Sequence, residues 1–248
     1  MSETSGALTR PDSEALAWRR VEGRGPTLVW LGGFRSDMTG SKAQALADWA
    51  EAQGRDFLRF DYFGHGASSG DFAQGSISRW RADVLAVIDD LTQGPLVLVG
   101  SSMGGWLALL AAAARPGRLH ALVLVAPAAD FTEALMKPRL SRKAKSAIKR
   151  EGVWLERSDH DPAGYPITRL LLEDGARWTV MPGPLGIAAP VRILQGGLDG
   201  AVPWAHAHAL VAAIQGDDVI FTLIKDGDHR LSRPQDLERL IAAVAEVA

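Results

Sequence analysis

The strongest chemical signal in the chain follows a short apolar run. Residues 96–99 (Leu-Val-Leu-Val) read as a buried strand, and Gly100-Ser101-Ser102-Met103-Gly104 comes directly after it, ahead of a helical stretch. A serine hydroxyl is a weak nucleophile near neutral pH. It becomes effective when a sharp strand-to-helix turn lifts it above the sheet edge and a base can reach it. The spacing Gly-x-Ser-x-Gly suits such a turn, because side chains two residues either side of the serine would collide. Ser102 is therefore the candidate nucleophile, with Ser101 in the variable position and Gly100 and Gly104 as the elbow glycines. A phosphate cradle is the rival use of a glycine turn, but there is no Walker lysine and the glycines are not spaced Gly-x-Gly-x-x-Gly.

A nucleophilic serine needs a base, an acid to orient that base, and donors for the oxyanion. Of six histidines, His229 follows the last strand in Lys225-Asp226-Gly227-Asp228-His229, where the chain order Ser, acid, His would put the base. His65 lies in the turn Gly64-His65-Gly66 and reads as structural. His206 and His208 fall at a helix start, and His120 and His160 read as surface residues. Asp199, in the glycine-rich turn after the penultimate strand, is the favoured acid. Asp130, after the preceding strand, is its rival, and Asp226 and Asp228 stand too close to His229 in sequence. The backbone N–H of Met103, at a helix N-terminus, is one candidate oxyanion donor. The N–H of Phe34, in the loop Gly32-Gly33-Phe34 after an early strand, is the other.

The chain around these residues has 248 amino acids, 47% of them apolar, with 27 Lys and Arg against 29 Asp and Glu. That length suits one domain with its own core. The absence of cysteine excludes disulfides, thiolate metal sites, Fe–S clusters and a cysteine nucleophile, and fits a reducing compartment. A net charge of −2 argues against nucleic acid as a partner. The first twenty residues include Glu3, Asp12 and Glu14 and no apolar core of a signal sequence. The most apolar stretch, residues 103–114, is shorter than the roughly 20 residues that span a bilayer. The expectation is a soluble, cytoplasmic protein with no integral membrane association.

Strand and helix patterns alternate along the chain. Strands are expected at 57–61, 96–99, 121–125, 191–194 and 219–224, and 16–21 with 27–31 read as a hairpin. Helices are expected at 41–53, at 77–91 on the period of Ile77, Trp80, Val84, Val87, Ile88 and Leu91, at 106–114, and at the C-terminus with Ser232 as cap. This rhythm predicts an α/β fold: a mainly parallel twisted sheet with helices on both faces. Residues 1–15 are polar and read as a frayed or loosely docked end, and 16–248 as a single domain. Between about 127 and 189 the rhythm stops, which predicts a small inserted helical cap.

Together these elements resemble the α/β-hydrolase superfamily from about residue 16 onward. Asp61-Tyr62-Phe63-Gly64-His65-Gly66-Ala67-Ser68 resembles that family's turn after its fourth strand. Gly-Ser-Ser-Met-Gly-Gly-Trp at 100–106, Trp80-Arg81-Ala82-Asp83-Val84, Val202-Pro203-Trp204 and Asp228-His229-Arg230 resemble the mitochondrial palmitoyl-protein thioesterase and acyl-glucuronide esterase branch. The resemblance implies a Ser102, Asp199, His229 triad. It also implies two-step acyl transfer through an acyl-enzyme on a small-molecule ester, thioester or acylated substrate, possible long acyl chains included, with no metal or organic cofactor. A serine at the elbow argues against the Asp-nucleophile branches. A peptidase or C–C-bond hydrolase would use the same triad, and a non-catalytic scaffold would have no need of all three residues. In the cap, Trp154 and Trp178 are candidates to line an acyl pocket or to pack the cap on the core. Lys137, Arg139, Arg142, Lys143, Lys145, Lys149 and Arg150 form a basic run, either a solvated face or an attractor for anionic groups.

Overall fold

The computed structural model describes residues 3–158, 161–181 and 183–248. In chain order the strands and helices are β1 (Thr4–Thr9), β2 (Ala15–Val21), β3 (Arg24–Leu31), α1 (Ser41–Gln53), β4 (Arg55–Phe60), α2 (Ile77–Leu91), β5 (Leu96–Ser101), α3 (Met103–Ala114) and β6 (Leu119–Val125). Then come a one-turn α4 (Lys137–Arg139), α5 (Arg142–Glu151), β7 (Val153–Ser158), β8 (Asp161–Thr168), α6 (Arg169–Gly175), β9 (Val191–Gly196), α7 (Trp204–Ala213), β10 (Val219–Ile224) and α8 (Pro234–Val247).

Among the described residues, eight strands form one sheet in the order β1-β2-β4-β3-β5-β6-β9-β10. β4, β3, β5, β6, β9 and β10 run parallel, and β1 and β2 add an antiparallel edge. The two-residue period of a strand divides each central strand between two cores. On β3, Val29 and Leu31 face the cluster with Trp80, Val84 and Trp106 of α2 and α3, while Leu28 and Trp30 face Leu46, Ala50, Leu240 and Val244 of α1 and α8. Burial on both faces is what makes these strands read as continuous apolar runs.

Four expectations need correction. Residues 1–15 are not a loose end. β1 pairs with β2 from Thr4↔Arg20 to Thr9↔Ala15, and Glu3 accepts two hydrogen bonds at 2.7 Å from the buried guanidinium of Arg59. β2 and β3 are not a hairpin: β4 lies between them, antiparallel to β2 and parallel to β3. Ser232 does not cap α8. Arg233 occupies the cap, its N–H and guanidinium both bonded to Asp236, and Pro234 takes the first helical position. The segment between β6 and β9 is not purely helical, since β7 and β8 form a two-stranded antiparallel sheet beside α4, α5 and α6.

Candidate active site

Ser102 sits at the C-terminal end of β5 with φ 55° and ψ −118°, and α3 starts at the next residue. Its N–H donates to the Val125 carbonyl at 2.9 Å, and its own carbonyl accepts from Ala128 at 3.0 Å, so the elbow is bonded to the strand beside it. The two glycines are required by close approach. A Cβ on Gly104 would lie 1.9 Å from the Leu31 carbonyl oxygen, and one on Gly100 would lie 2.4 Å from that of Gly104.

His229, after β10, and Asp199, after β9, meet Ser102 above the sheet. His229 Nε2 is 3.2 Å from Ser102 Oγ, and its Nδ1 donates to Asp199 Oδ2 at 2.8 Å. The Asp199 side chain is fully buried, with Oδ1 accepting the N–H groups of Ala201 and Val202, each at 2.8 Å. Burial works against its charge, but the hydrogen bond and charge of His229, with the Val202 and Gln195 bonds, prevail and hold the carboxyl below its usual range. Asp130 points elsewhere, accepting the N–H groups of Val180 and Met181 at 2.8 and 2.9 Å. His206 Nε2 donates to the Ala129 carbonyl, and His120 is exposed. His160 lies outside the described residues.

Two positioning groups are not among the candidates read from the sequence. Gln195 Nε2 donates toward Asp199 Oδ2 at 3.1 Å and the Val202 carbonyl at 3.0 Å, which holds the acid in its turn. Lys42 of α1 donates to the Arg230 carbonyl, tying down the loop that carries His229, and burial lowers its pKa to about 8. A glutamine inside an apolar strand was the available clue to the first. The second joins residues 188 positions apart.

The candidate oxyanion donors flank the serine. Met103 N–H is the first helical amide of α3 and so lacks an intrahelical acceptor. Phe34 lies in the loop after β3, where a Cβ on the neighbouring Gly33 would come within 3.4 Å of Ser102 Cβ. The Phe34 ring packs edge-on against Phe72 and Trp80 and against Tyr165 of β8. The turn after β4 holds this loop at two points. His65 Nε2 accepts the Arg35 N–H at 3.1 Å while Nδ1 donates to the Phe63 carbonyl, and Asp61 Oδ1 accepts the Met38 N–H at 2.7 Å. Burial lowers the His65 pKa to about 4, so the ring stays neutral and keeps its acceptor nitrogen.

Between sheet and cap lies a cavity of about 270 Å³, lined by Ser102, His229, Phe34 and Met103 and by cap residues including Met136, Leu140 and Ile167. Trp154 and Trp178 do not line it, which leaves the second of their two expected roles, packing the cap. Trp154 Nε1 donates to Glu156 beneath Lys143, and Trp178 Nε1 donates to Ser78 of α2 with Arg81 over its ring. Both pack the cap rather than face the serine. Of the basic run, Arg139 reaches the cavity wall and donates to the Ala201 carbonyl at 2.8 Å. Arg142, Lys143, Lys145, Lys149 and Arg150 are exposed. Among the described residues no acid, histidine and cysteine cluster could hold a metal ion, and no helix is long and apolar enough to cross a membrane.

A family model described as serine aminopeptidase, S33 (Hydrolase_4) matches residues 28–162. The human protein named palmitoyl-protein thioesterase ABHD10, mitochondrial, is 35% identical over 241 residues, 97% of this chain and 78% of its own. A crystal structure of a protein named putative hydrolase, from Agrobacterium vitis S4, superposes with a TM-score of 0.96 at 42% identity, covering 100% of this chain and 99% of that one. Mouse alpha/beta hydrolase domain-containing protein 10 superposes with a TM-score of 0.90 at 35% identity, covering 98% and 97%. The chain therefore belongs to the α/β-hydrolase family, in its Hydrolase_4 branch, and is a serine hydrolase.

Proposed function

We propose that the protein hydrolyses carboxylic esters or thioesters through an acyl-enzyme on Ser102. The observation that carries this reading is the continuous hydrogen-bond chain from Ser102 Oγ through His229 to buried Asp199, opening on a largely apolar cavity. His229 Nε2 takes the hydroxyl proton as Oγ bonds to the substrate carbonyl carbon, and the oxyanion is stabilised by Phe34 N–H and Met103 N–H. The carbonyl re-forms as the bond to the leaving group breaks, and His229 returns the proton to the departing alcohol or thiol. Water repeats the sequence on the acyl-serine, with His229 again taking and returning the proton. Asp199 keeps the imidazole in the tautomer whose Nε2 accepts. The chain's own residues supply each proton transfer, and no cofactor enters the scheme.

The thioester arm is supported by the name that the mammalian relatives carry, and an amidase reading by the description of the family model. A fluorophosphonate probe tests the nucleophile: the wild type is expected to label and Ser102→Ala to remain unlabelled, and equal labelling would overturn the assignment. Matched thioester, oxygen ester and aminoacyl amide substrates then rank the leaving groups. Fastest turnover of the amide would favour the peptidase reading over ours.

A further inference from the structure

We propose that two copies of this chain associate edge to edge through β10, antiparallel about a two-fold axis, in the register that sets Asp217 opposite the partner's Lys225. β10 ends the sheet, so among the described residues no strand lies on its outer side. The N–H groups of Val191 and Gly197 donate to the carbonyls of Asp218 and Ile224, so the even-numbered residues of β10 turn their main-chain groups towards β9. Those of Val219, Phe221 and Leu223 therefore point to the open side. An unpaired row of this kind is a template for another strand, and edges meant to stay alone are blunted by lysine, proline or a bulge. β10 (Val-Ile-Phe-Thr-Leu-Ile) has none of these, and its register with β9 is unbroken. Its Ile220 and Leu223 are 45% and 46% exposed. Trp204 of α7, 48% exposed, continues the apolar surface through His208 to Phe221. The opposite edge of the sheet is more polar, since β1 reads Thr-Ser-Gly-Ala-Leu-Thr.

The occupant is a second copy because this edge is complementary to itself. A two-fold axis normal to the sheet keeps each side chain on its own face, so odd-numbered residues meet odd-numbered ones. These are the residues whose main-chain groups are open, and roughly six hydrogen bonds would join the two strands. With Asp217 opposite the partner's Lys225, Phe221 falls on the axis and Val219 meets the partner's Leu223 in cross-strand contact. The symmetry repeats the charge pair at the other end of the ladder. Sliding the strands by two residues either way separates both charge pairs. Asp217 and Lys225 are exposed and form no ion pair among the described residues, whereas Asp218 is already bound to Arg192 at 2.7 Å.

The test is sedimentation equilibrium of the intact protein from about 1 to 200 µM, a range suited to an interface at the small end of the stable class. The wild type should pass from monomer to dimer within it. Lys225→Asp and Asp217→Lys each set like charges against one another at both ends of the ladder and should weaken the dimer about tenfold or more. Combining Asp217→Lys with Lys225→Asp exchanges the signs and should restore the affinity to within about threefold. Leu223→Lys places a charge on the apolar edge and should prevent association altogether. Thermal melts of each variant separate lost association from lost folding. A wild type that stays monomeric throughout would overturn the proposal, as would a dimer that none of these variants weakens. A double variant no tighter than the single ones would overturn the register.

Discussion

The sheet and the cap solve the same problem, placing side chains around one cavity, by opposite means. In the sheet half, the candidate chemistry stands after the C-terminal ends of strands: Phe34 after β3, Ser102 after β5, Asp199 after β9 and His229 after β10. Ladders of parallel strands set the spacing of those ends, and apolar layers on both faces keep the strands in place. The cap has no such frame. Its longest described element, α5, has 10 residues, its two strands pair only with each other, and its own core is a cluster of five buried side chains. Reactive groups are thus held by contacts remote in sequence, and the substrate-facing wall by contacts near in sequence. A frame of this kind tolerates few changes, whereas a local wall can be rebuilt without disturbing the chemistry.

Mutations can break or sharpen that contrast, since damage to the frame should affect every substrate and damage to the cap should alter only their ratios. The largest effect is expected from Ser102→Ala, a loss of about 10⁶-fold in kcat on all acyl lengths alike, measured by steady-state hydrolysis. Next, Asp199→Asn should preserve the geometry but favour the wrong imidazole tautomer, costing about 10⁴-fold in kcat. An undiminished rate in either variant would take that residue out of the mechanism.

Gly104→Ala forces a Cβ into the backbone of Leu31 and should lower stability by about 3 kcal/mol, read from the denaturant midpoint. A pH effect of roughly 2–3 kcal/mol is expected from His65. Its folded pKa, lowered to about 4, lies below the unfolded value of about 6.5, so the unfolded chain gains the proton first. Stability is full above that unfolded value and is lost as pH falls towards 4. His65→Gln should flatten the profile over this window. The smallest change is expected in the cap. Trp154→Phe removes its bond to Glu156 yet should shift kcat/KM by less than about twofold, because the ring does not face the cavity.

The features legible in the sequence are mostly those whose physical cause is local. At the elbow, Gly100 is demanded by the backbone of Gly104 within the same turn, whereas Gly104 is demanded by the distant Leu31 carbonyl, and the apolar runs of β5, β6 and β9 are required by burial on both faces. The assignment of His229 and Asp199 followed chain order, and the structure brings both within hydrogen-bonding reach of the chain that starts at Ser102. The misread features depend on distance. The turn after β2 suggests a hairpin with β3, yet the strand on that side of β2 is β4, which begins at Arg55, and nothing at residues 22–26 encodes that choice. The polar N-terminus becomes a strand because Glu3 meets the guanidinium of Arg59, 56 positions away. For Trp154 and Trp178 the sequence left two roles open, and the acceptors of their indole N–H groups, Glu156 two residues away and Ser78 a hundred away, hold them in the packing role.

The positive φ of Ser102 has a consequence for how this protein would respond to selection. A non-glycine residue held at φ 55° and ψ −118° carries backbone strain of about 1–3 kcal/mol, which the surrounding fold has to offset. Glycine would relieve it at once. A screen that rewarded heat resistance alone would therefore favour Ser102→Gly, and the hardiest descendants would be inert. Stabilising this enzyme while keeping it active means leaving its least comfortable residue untouched.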